Sequence, residues 1–269
     1  MSPMDRYVNS DARISAYAQE LFEAERSRLS VLPITGRRQD FSVDEAYAVQ
    51  LENVQRALAM GHIVSGKKIG LTSPGMQRQL GVNEPDYGHL FKAMECLGGI
   101  VDTSALIQPK IEAELAFMLN KDLSGGEVSA QDVVNATEYV VGAFEIVDSR
   151  IADWRIKLPD TVADNASSGR YVLGRTRIRP ADIDLTAVSM KMYKGSGEAL
   201  VGEGNGAAVL GNPCIAVAWL ANKLWGYGVT LKAGEIVLSG AFSAAPAAVK
   251  GDVFKAEFTE FGQIEARFV

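Results

Sequence analysis

Residues 111–119 read Ile111-Glu112-Ala113-Glu114-Leu115-Ala116-Phe117-Met118-Leu119. Strand side chains alternate between faces, so Glu112 and Glu114 share one face while Ile111, Ala113, Leu115 and Phe117 share the other. Two like charges on one face of an apolar strand are costly unless something compensates them. A third carboxylate, Glu145 in Ala143-Phe144-Glu145-Ile146-Val147, has the same apolar setting. Three acids on buried strands suit a hard divalent cation such as Mg²⁺ or Mn²⁺, which prefers oxygen ligands. Spacing alone is equally compatible with solvated or salt-bridged acids.

Outward from this stretch, further strands are predicted at Val64–Leu71, Ala143–Val147, Tyr171–Leu173, Val188–Tyr193, Ile236–Ser239, Val253–Phe258 and Gly262–Phe268. Helices are predicted at Ser129–Val140 and at Pro213–Trp225, the latter with Asn212 as N-cap and Pro213 in the first turn. Strands outnumber helices and do not alternate with them, so an α+β fold with a mixed or antiparallel sheet is favoured over a doubly wound one. The first sixty residues differ in texture. Ala12–Leu29 carries apolar residues at helical spacing, and Ser42-Val43-Asp44-Glu45 is a capping box opening a helix that runs to about Met60, with Gly61 beyond its end. The expected organisation is a helical region over 1–61 followed by an α+β domain over 62–269, the part expected to carry any chemistry.

Composition limits the chemistry. The 269 residues carry 27 Lys plus Arg against 33 Asp plus Glu, a formal charge of −6. That balance argues against nucleic acid or an anionic membrane as partner. Cys96 and Cys214 show no CxxC spacing, and with only His62 and His89 the chain matches no zinc motif and offers no evident Ser-His-Asp set. Met1–Glu25 lacks the apolar core of a signal peptide, and the longest apolar run, Cys214–Ala221, is too short to span a bilayer. A cytoplasmic location is expected.

Other motifs leave alternatives open. Gly66-Lys67-Lys68-Ile69-Gly70-Leu71-Thr72 sets lysines between glycines, either as solvated charges or as an acid/base group whose pKa burial lowers. Pro85-Asp86-Tyr87-Gly88-His89 reads as a turn, where Asp86 could serve local hydrogen bonding alone. The polar stretch Asp160–Gly169 has the composition of a ligand-lining loop, as many loops do. Gly202, Gly204 and Gly206 lack the context of a phosphate loop.

Several blocks occur in one order: Lys68–Thr72, Gln79–Val82, Pro85–Gly88, Glu112–Phe117, Glu145–Arg150, Asp160–Gly169, Gly211–Pro213 and Gly234–Gly240. As an ordered set they resemble the 2-oxopent-4-enoate (2-hydroxypenta-2,4-dienoate) hydratases of the fumarylacetoacetate hydrolase superfamily, over nearly the whole chain from about residue 40. The resemblance implies a mixed β-sheet roll and a Mg²⁺ or Mn²⁺ ion held by Glu112, Glu114 and Glu145. It places the acid/base groups on Lys68 and Asp86, and the substrate end on Leu71, Asp164, Asn165, Ser167 and Ser239. It also implies a small 2-hydroxy-dienoate substrate and a homo-oligomer, a pentamer or decamer. Asp148, three residues beyond Glu145, falls on the opposite strand face and is read as structural or supporting.

The nearest competing activity is that of the 2-oxo-3-hexenedioate (4-oxalocrotonate) decarboxylases, which share the metal logic. Their pattern has an apolar residue in place of Asp86 and a different loop in place of Asp164–Gly169. Carbon–carbon bond hydrolysis fits less well after Glu145. A non-catalytic scaffold would have no reason to keep two acids on one strand face.

Overall fold

The computed structural model describes residues 12–195 and 199–269. Residues 1–11, the start of the region read as helical, lie outside the described residues. Helix α1 spans Ala12–Ser27, a short α2 Ile34–Arg37, and α3 Val43–Ala59. The capping box is present: Ser42 Oγ accepts from the Glu45 amide at 3.2 Å, and the Glu45 carboxylate accepts from the Ser42 amide at 3.0 Å. Gly61 takes the left-handed conformation (φ 86°) that closes the helix. Ile14, Ala18 and Leu21 of α1 and Tyr47 and Val49 of α3 join the same core as the strands that follow.

Those strands are β1 Val64–Gly70, β2 Asp86–Phe91, β3 Ile100–Val101, β4 Pro109–Leu119, β5 Thr137–Asp148, β6 Ser168–Leu173, β7 Ser189–Lys194, β8 Ala199–Asn205, β9 Ile236–Ala241, β10 Val253–Phe258 and β11 Gly262–Phe268. Helices α4 Pro74–Leu80, α5 Ala130–Ala136, α6 Leu158–Ala163 and α7 Pro213–Trp225 connect them. One sheet has the order β2-β1-β9-β4-β5-β6 and the other β3-β11-β10-β7-β8. Each is mixed: β1 pairs with β9 in parallel, as β11 does with β3, and the remaining pairs are antiparallel.

The two faces of the first sheet bury different things. Ile111, Leu115, Phe117, Phe144 and Ile146 join Phe254, Phe258 and Phe268 of the second sheet in the main core. Each such side chain contributes roughly 1.5–3 kcal/mol on burial. The sheets approach so closely that a Cβ on Gly142 would lie 3.0 Å from the Phe258 ring. The other face curls into a roll. The segment that follows edge strand β2 crosses to the opposite edge, where the Cys96 amide donates to the Tyr171 carbonyl of β6 at 2.8 Å. A smaller core of Leu90, Ala116, Val141, Ala143, Tyr171 and Leu238, joined by Val54 of α3, fills the interior.

Three elements differ from the sequence reading. The turn expected at Pro85–His89 is strand β2, buried along its length, because its apolar residues are paired with β1. The helix expected to reach Val140 ends at Ala136. From Thr137 the β-branched and aromatic run pairs with β4, and packing there overrides the helical spacing. The glycines at 202 and 204 lie in β8, where a Cβ on Gly204 would meet the Phe242 carbonyl oxygen at 2.0 Å. By length and composition Gly206–Trp225 could cross a membrane, but half of it is buried in the core.

Candidate active site

Strand alternation puts Glu112 and Glu114 on the inner face of the roll, in line with Ala116. The antiparallel register of β4 and β5 sets Glu145 directly opposite Glu112. One oxygen from each of the three acids lies within 4.8 Å of the others. On the far side of β4, β9 carries an extra residue, since Glu114 faces Ala241 while Ala116 faces Leu238. This bulge aims the Gly240 amide at Glu114 Oε2, 2.5 Å away. Only glycine fits there, because Gly240 has φ 113° and a Cβ would sit 2.3 Å from Thr72 Oγ1.

Burial, followed by the like charges of Glu145 and Glu112, drives the Glu114 carboxyl well above its ordinary range. Burial also raises Glu112 and pushes Glu145 up to about 7 against the pull of Lys68. Glu114 Oε1 and Glu145 Oε2 have no hydrogen-bond partner among the described residues, and Glu145 Oε1 faces the Lys68 ammonium. Buried carboxylate oxygens this close together, with unused lone pairs, form a donor set that suits a hard divalent cation.

Lys68 of β1 reaches into the cluster, its Nζ 3.2 Å from Glu145 Oε1. It is neither solvated nor pushed down. Burial alone would lower its pKa, but Glu145, Asp86, Glu112 and Glu114 outweigh that and raise it. Asp86, at the start of β2, pairs across with Gly70. A Cβ on Gly70 would fall 2.2 Å from Asp86 Oδ1 and 3.4 Å from Lys68 Nζ, so the two groups converge over a gap that glycine leaves. Asp86 Oδ1 has no partner among the described residues, and Oδ2 accepts from Thr161 Oγ1 at 3.4 Å. Burial raises the Asp86 carboxyl above its usual range, with Lys68 opposing. Thr161 and Gly70 escaped the sequence reading. A glycine directly before Leu71, which turns off the strand at φ 57°, was the available signal.

The proposed substrate-end residues separate into two groups. Ser239 lies in the bulged strand, its buried Oγ without a partner among the described residues, and Leu71 is buried just beyond the end of β1. Asp164, Asn165 and Ser167 are instead committed to internal ties. Asp164 takes Arg150 Nε at 2.5 Å and Ser167 Oγ at 3.3 Å, while the Asn165 amide bonds the backbone of His89. Asp164 and Asn165 line a cavity of about 670 Å³ between α1, α3 and the segment near Met94, and that cavity reaches none of the three glutamates. Convergent, unsatisfied polar groups are what chemistry requires, so the roll interior, and not this cavity, is the candidate site. Asp148 accepts the Ile107 and Gln108 amides at 3.0 and 2.7 Å, a structural tie.

Residues 97–269 match the family described as "Fumarylacetoacetate (FAA) hydrolase C-terminal". A 2-hydroxyhexa-2,4-dienoate hydratase of Comamonas testosteroni is 45% identical over 95% of this chain and 97% of its own. A 2-keto-4-pentenoate hydratase of Paraburkholderia xenovorans is 48% identical over 93% of each. Among solved structures, the 4-oxalocrotonate decarboxylase of Pseudomonas putida G7, complexed with magnesium and adipate, superposes with a TM-score of 0.92. It is 35% identical, over 97% of this chain and 98% of that one. By sequence and by fold alike, this chain belongs to the fumarylacetoacetate hydrolase family.

Proposed function

We propose that the chain is a divalent-metal-dependent hydro-lyase that adds water to 2-hydroxypenta-2,4-dienoate (2-oxopent-4-enoate), giving 4-hydroxy-2-oxopentanoate in meta-cleavage catabolism of aromatic compounds. The hydratase names of relatives at 45–48% identity across most of the chain support the reaction class. The observation that carries the reading within the molecule is the convergence of Lys68 and Asp86 beside the three-glutamate cluster. Glu112, Glu114 and Glu145 would hold Mg²⁺ or Mn²⁺, and Gly240 orients Glu114 for it. When bound, such an ion supplies Lewis-acid stabilisation of negative charge on the substrate's C2 oxygen.

The reaction requires a proton delivered to C5, the enol proton removed, and water added across C3 and C4. Lys68, whose acidic surroundings favour its charged form, holds a proton and presents positive charge to the substrate's acid end. Asp86, with its carboxyl raised by burial and one oxygen unpartnered among the described residues, is the group placed to take up and return a proton. Leu71 and Ser239, both buried, shield the site from bulk solvent.

A second reading, decarboxylation of 2-oxo-3-hexenedioate, is favoured by the structural likeness to the decarboxylase. Both reactions develop charge at the same oxygen, so the glutamates serve either. The test is to offer each freshly prepared substrate with Mg²⁺ or Mn²⁺, follow ultraviolet loss and identify products. Formation of 4-hydroxy-2-oxopentanoate from the dienoate supports hydration. Carbon dioxide release from the hexenedioate, with the dienoate left unhydrated, overturns it.

A further inference from the structure

Asp86 sits on an edge strand, which poses a positioning problem. β2 pairs with β1 on one side only, so outward-facing backbone groups of β2 need partners from elsewhere. At His89 they find one side chain: Asn165 Oδ1 accepts from the His89 amide at 2.7 Å, and Asn165 Nδ2 donates to the His89 carbonyl at 2.9 Å. Asn165 thus substitutes for a neighbouring strand. The fit at Gly88 is equally close, since a Cβ there would lie 2.3 Å from the Asn165 carbonyl oxygen.

The turn presenting Asn165 is unusual in its backbone. Asn165, Ala166 and Ser167 have φ of 53°, 49° and 53°, a left-handed run that L-residues avoid. One guanidinium braces both ends of it. Arg150 donates from Nε to Asp164 Oδ1 at 2.5 Å, from Nη1 to the Ser168 carbonyl at 2.8 Å, and from Nη2 to the Asp164 carbonyl. Just upstream in α6, Thr161 reaches the Asp86 carboxyl itself. The α6 segment and its turn therefore grip β2 on either side of Gly88.

We propose that Asn165, held in its left-handed turn by Arg150, is a positioning residue that fixes Asp86 relative to Lys68 and the glutamates, and does not act by touching substrate. This rests on the reading of Asp86 as a proton-transfer group. Misplacing a reacting group by about 1 Å costs on the order of 100-fold in rate, which sets the scale.

The test is a double-mutant cycle on the Mg²⁺-loaded enzyme, with kcat for the dienoate as the first readout. Asn165→Ala is expected to lower kcat by about 10- to 100-fold in the wild-type background and by less than about twofold in the Asp86→Asn background. Asn165→Asp keeps the size and the tolerance of left-handed φ, and places an acceptor against the His89 carbonyl. It is run in parallel in case the alanine variant does not fold. The second readout is affinity for oxalate, a non-reacting chelator, which should stay within about twofold of wild type because positioning of Asp86 leaves the glutamate cluster intact. Equal losses in both backgrounds would place Asn165 in a role independent of Asp86 and overturn the inference while sparing the hydratase reading. Wild-type kcat in both Asn165 variants, or loss of oxalate affinity alongside kcat, would also overturn it. Wild-type kcat in Asp86→Asn alone would overturn both the inference and the role assigned to Asp86.

Discussion

Replacing Glu114 by glutamine separates a metal cage from a set of structural acids. Glu114 is fully buried, its Oε1 unpartnered and its Oε2 taking the Gly240 amide. Glutamine keeps the shape and an oxygen for that amide, and removes only the charge. Burial first, then Glu145 and Glu112, hold the Glu114 carboxyl far above its ordinary range, so ionising this cluster in metal-free protein opposes folding. The neighbouring Glu145, pushed from 4.5 to about 7, sets the scale. At ~1.36 kcal/mol per pH unit, that displacement is about 3 kcal/mol against the charged form. With relaxation of the site, about 1–3 kcal/mol of relief is expected. For a chain of this size each kcal/mol moves the melting point by roughly 2–4 °C. Metal-free Glu114→Gln should therefore melt about 2–12 °C above the metal-free wild type at pH 8.

The direction with pH follows from proton linkage. An unfolded glutamate ionises near 4.5, whereas folded Glu114 and Glu145 keep their protons to higher pH. The folded state then binds more protons, and metal-free wild type loses stability as pH rises from 4.5 through about 7. The advantage of the variant should shrink as pH falls toward 4.5 and vanish below it, where the cluster is protonated in both states. Mg²⁺ reverses the order: at one hundred times its Kd it adds about 2.7 kcal/mol to the protein that binds it and little to the variant. Thermal unfolding at pH 5 and pH 8, with chelator and with Mg²⁺, together with calorimetric titration, reads all of this. A variant that melts below wild type in chelator and gains as much from Mg²⁺ would refute the metal cage.

Asp86→Asn should lower kcat by about 10²–10⁴-fold with metal affinity nearly unchanged, measured by steady-state kinetics and calorimetry; a wild-type rate would reduce Asp86 to a strand residue. Arg150→Met leaves the Asp164 carboxylate buried without its counter-ion and should cost about 3–5 kcal/mol in urea unfolding, and a loss under about 1 kcal/mol would contradict the bracing role. Gly240→Ala, which forces a Cβ onto Thr72, should weaken divalent-ion binding at least about tenfold through displaced Glu114, and an unchanged titration would count against the bulge as the orienting device. Light scattering on the eluting protein should show a homo-oligomer, since exposed Leu29, Leu97 and Ile63 invite burial, and a species near 29 kDa throughout the micromolar range would rule it out.

The glutamate cluster was legible because its signal is local. Alternation along β4 puts Glu112 and Glu114 on one face whatever the rest of the chain does. That Glu145 stands opposite Glu112 depends on strand pairing, which the residues suggest only through their shared apolar setting. The capping box at Ser42 and the Asn212-Pro213 start signal are local too, and both helices start where those residues say. Helix ends are less local. α5 stops at Ala136 because β4 offers the next residues a partner, and the β-branched and aromatic residues from Thr137 onward hint at a strand without fixing where the helix ends. β2 was read as a turn for the same reason: Pro85, Asp86 and Gly88 carry turn chemistry, but Gly88 is glycine because the Asn165 carbonyl presses against it.

The state of Lys68 shows most clearly what sequence context leaves undecided. A lysine flanked by glycines on an apolar strand has two plausible fates, solvated or neutralised by burial, and they imply opposite chemistry. The outcome belongs to neither, because four carboxyls arriving from β2, β4 and β5 reverse the effect of desolvation. Those carboxyls lie between 18 and 77 residues away along the chain. Burial, followed by the like charges of neighbouring carboxylates, raises the glutamates that Lys68 faces, and Lys68 pulls them back down, so the lysine and the glutamates set one another's protonation. A cation entering the cluster would compete with Lys68 for Glu145 and weaken its hold on the ammonium. Metal loading and proton availability at Lys68 are then a single coupled equilibrium, built from strand register and not from any motif of adjacent residues.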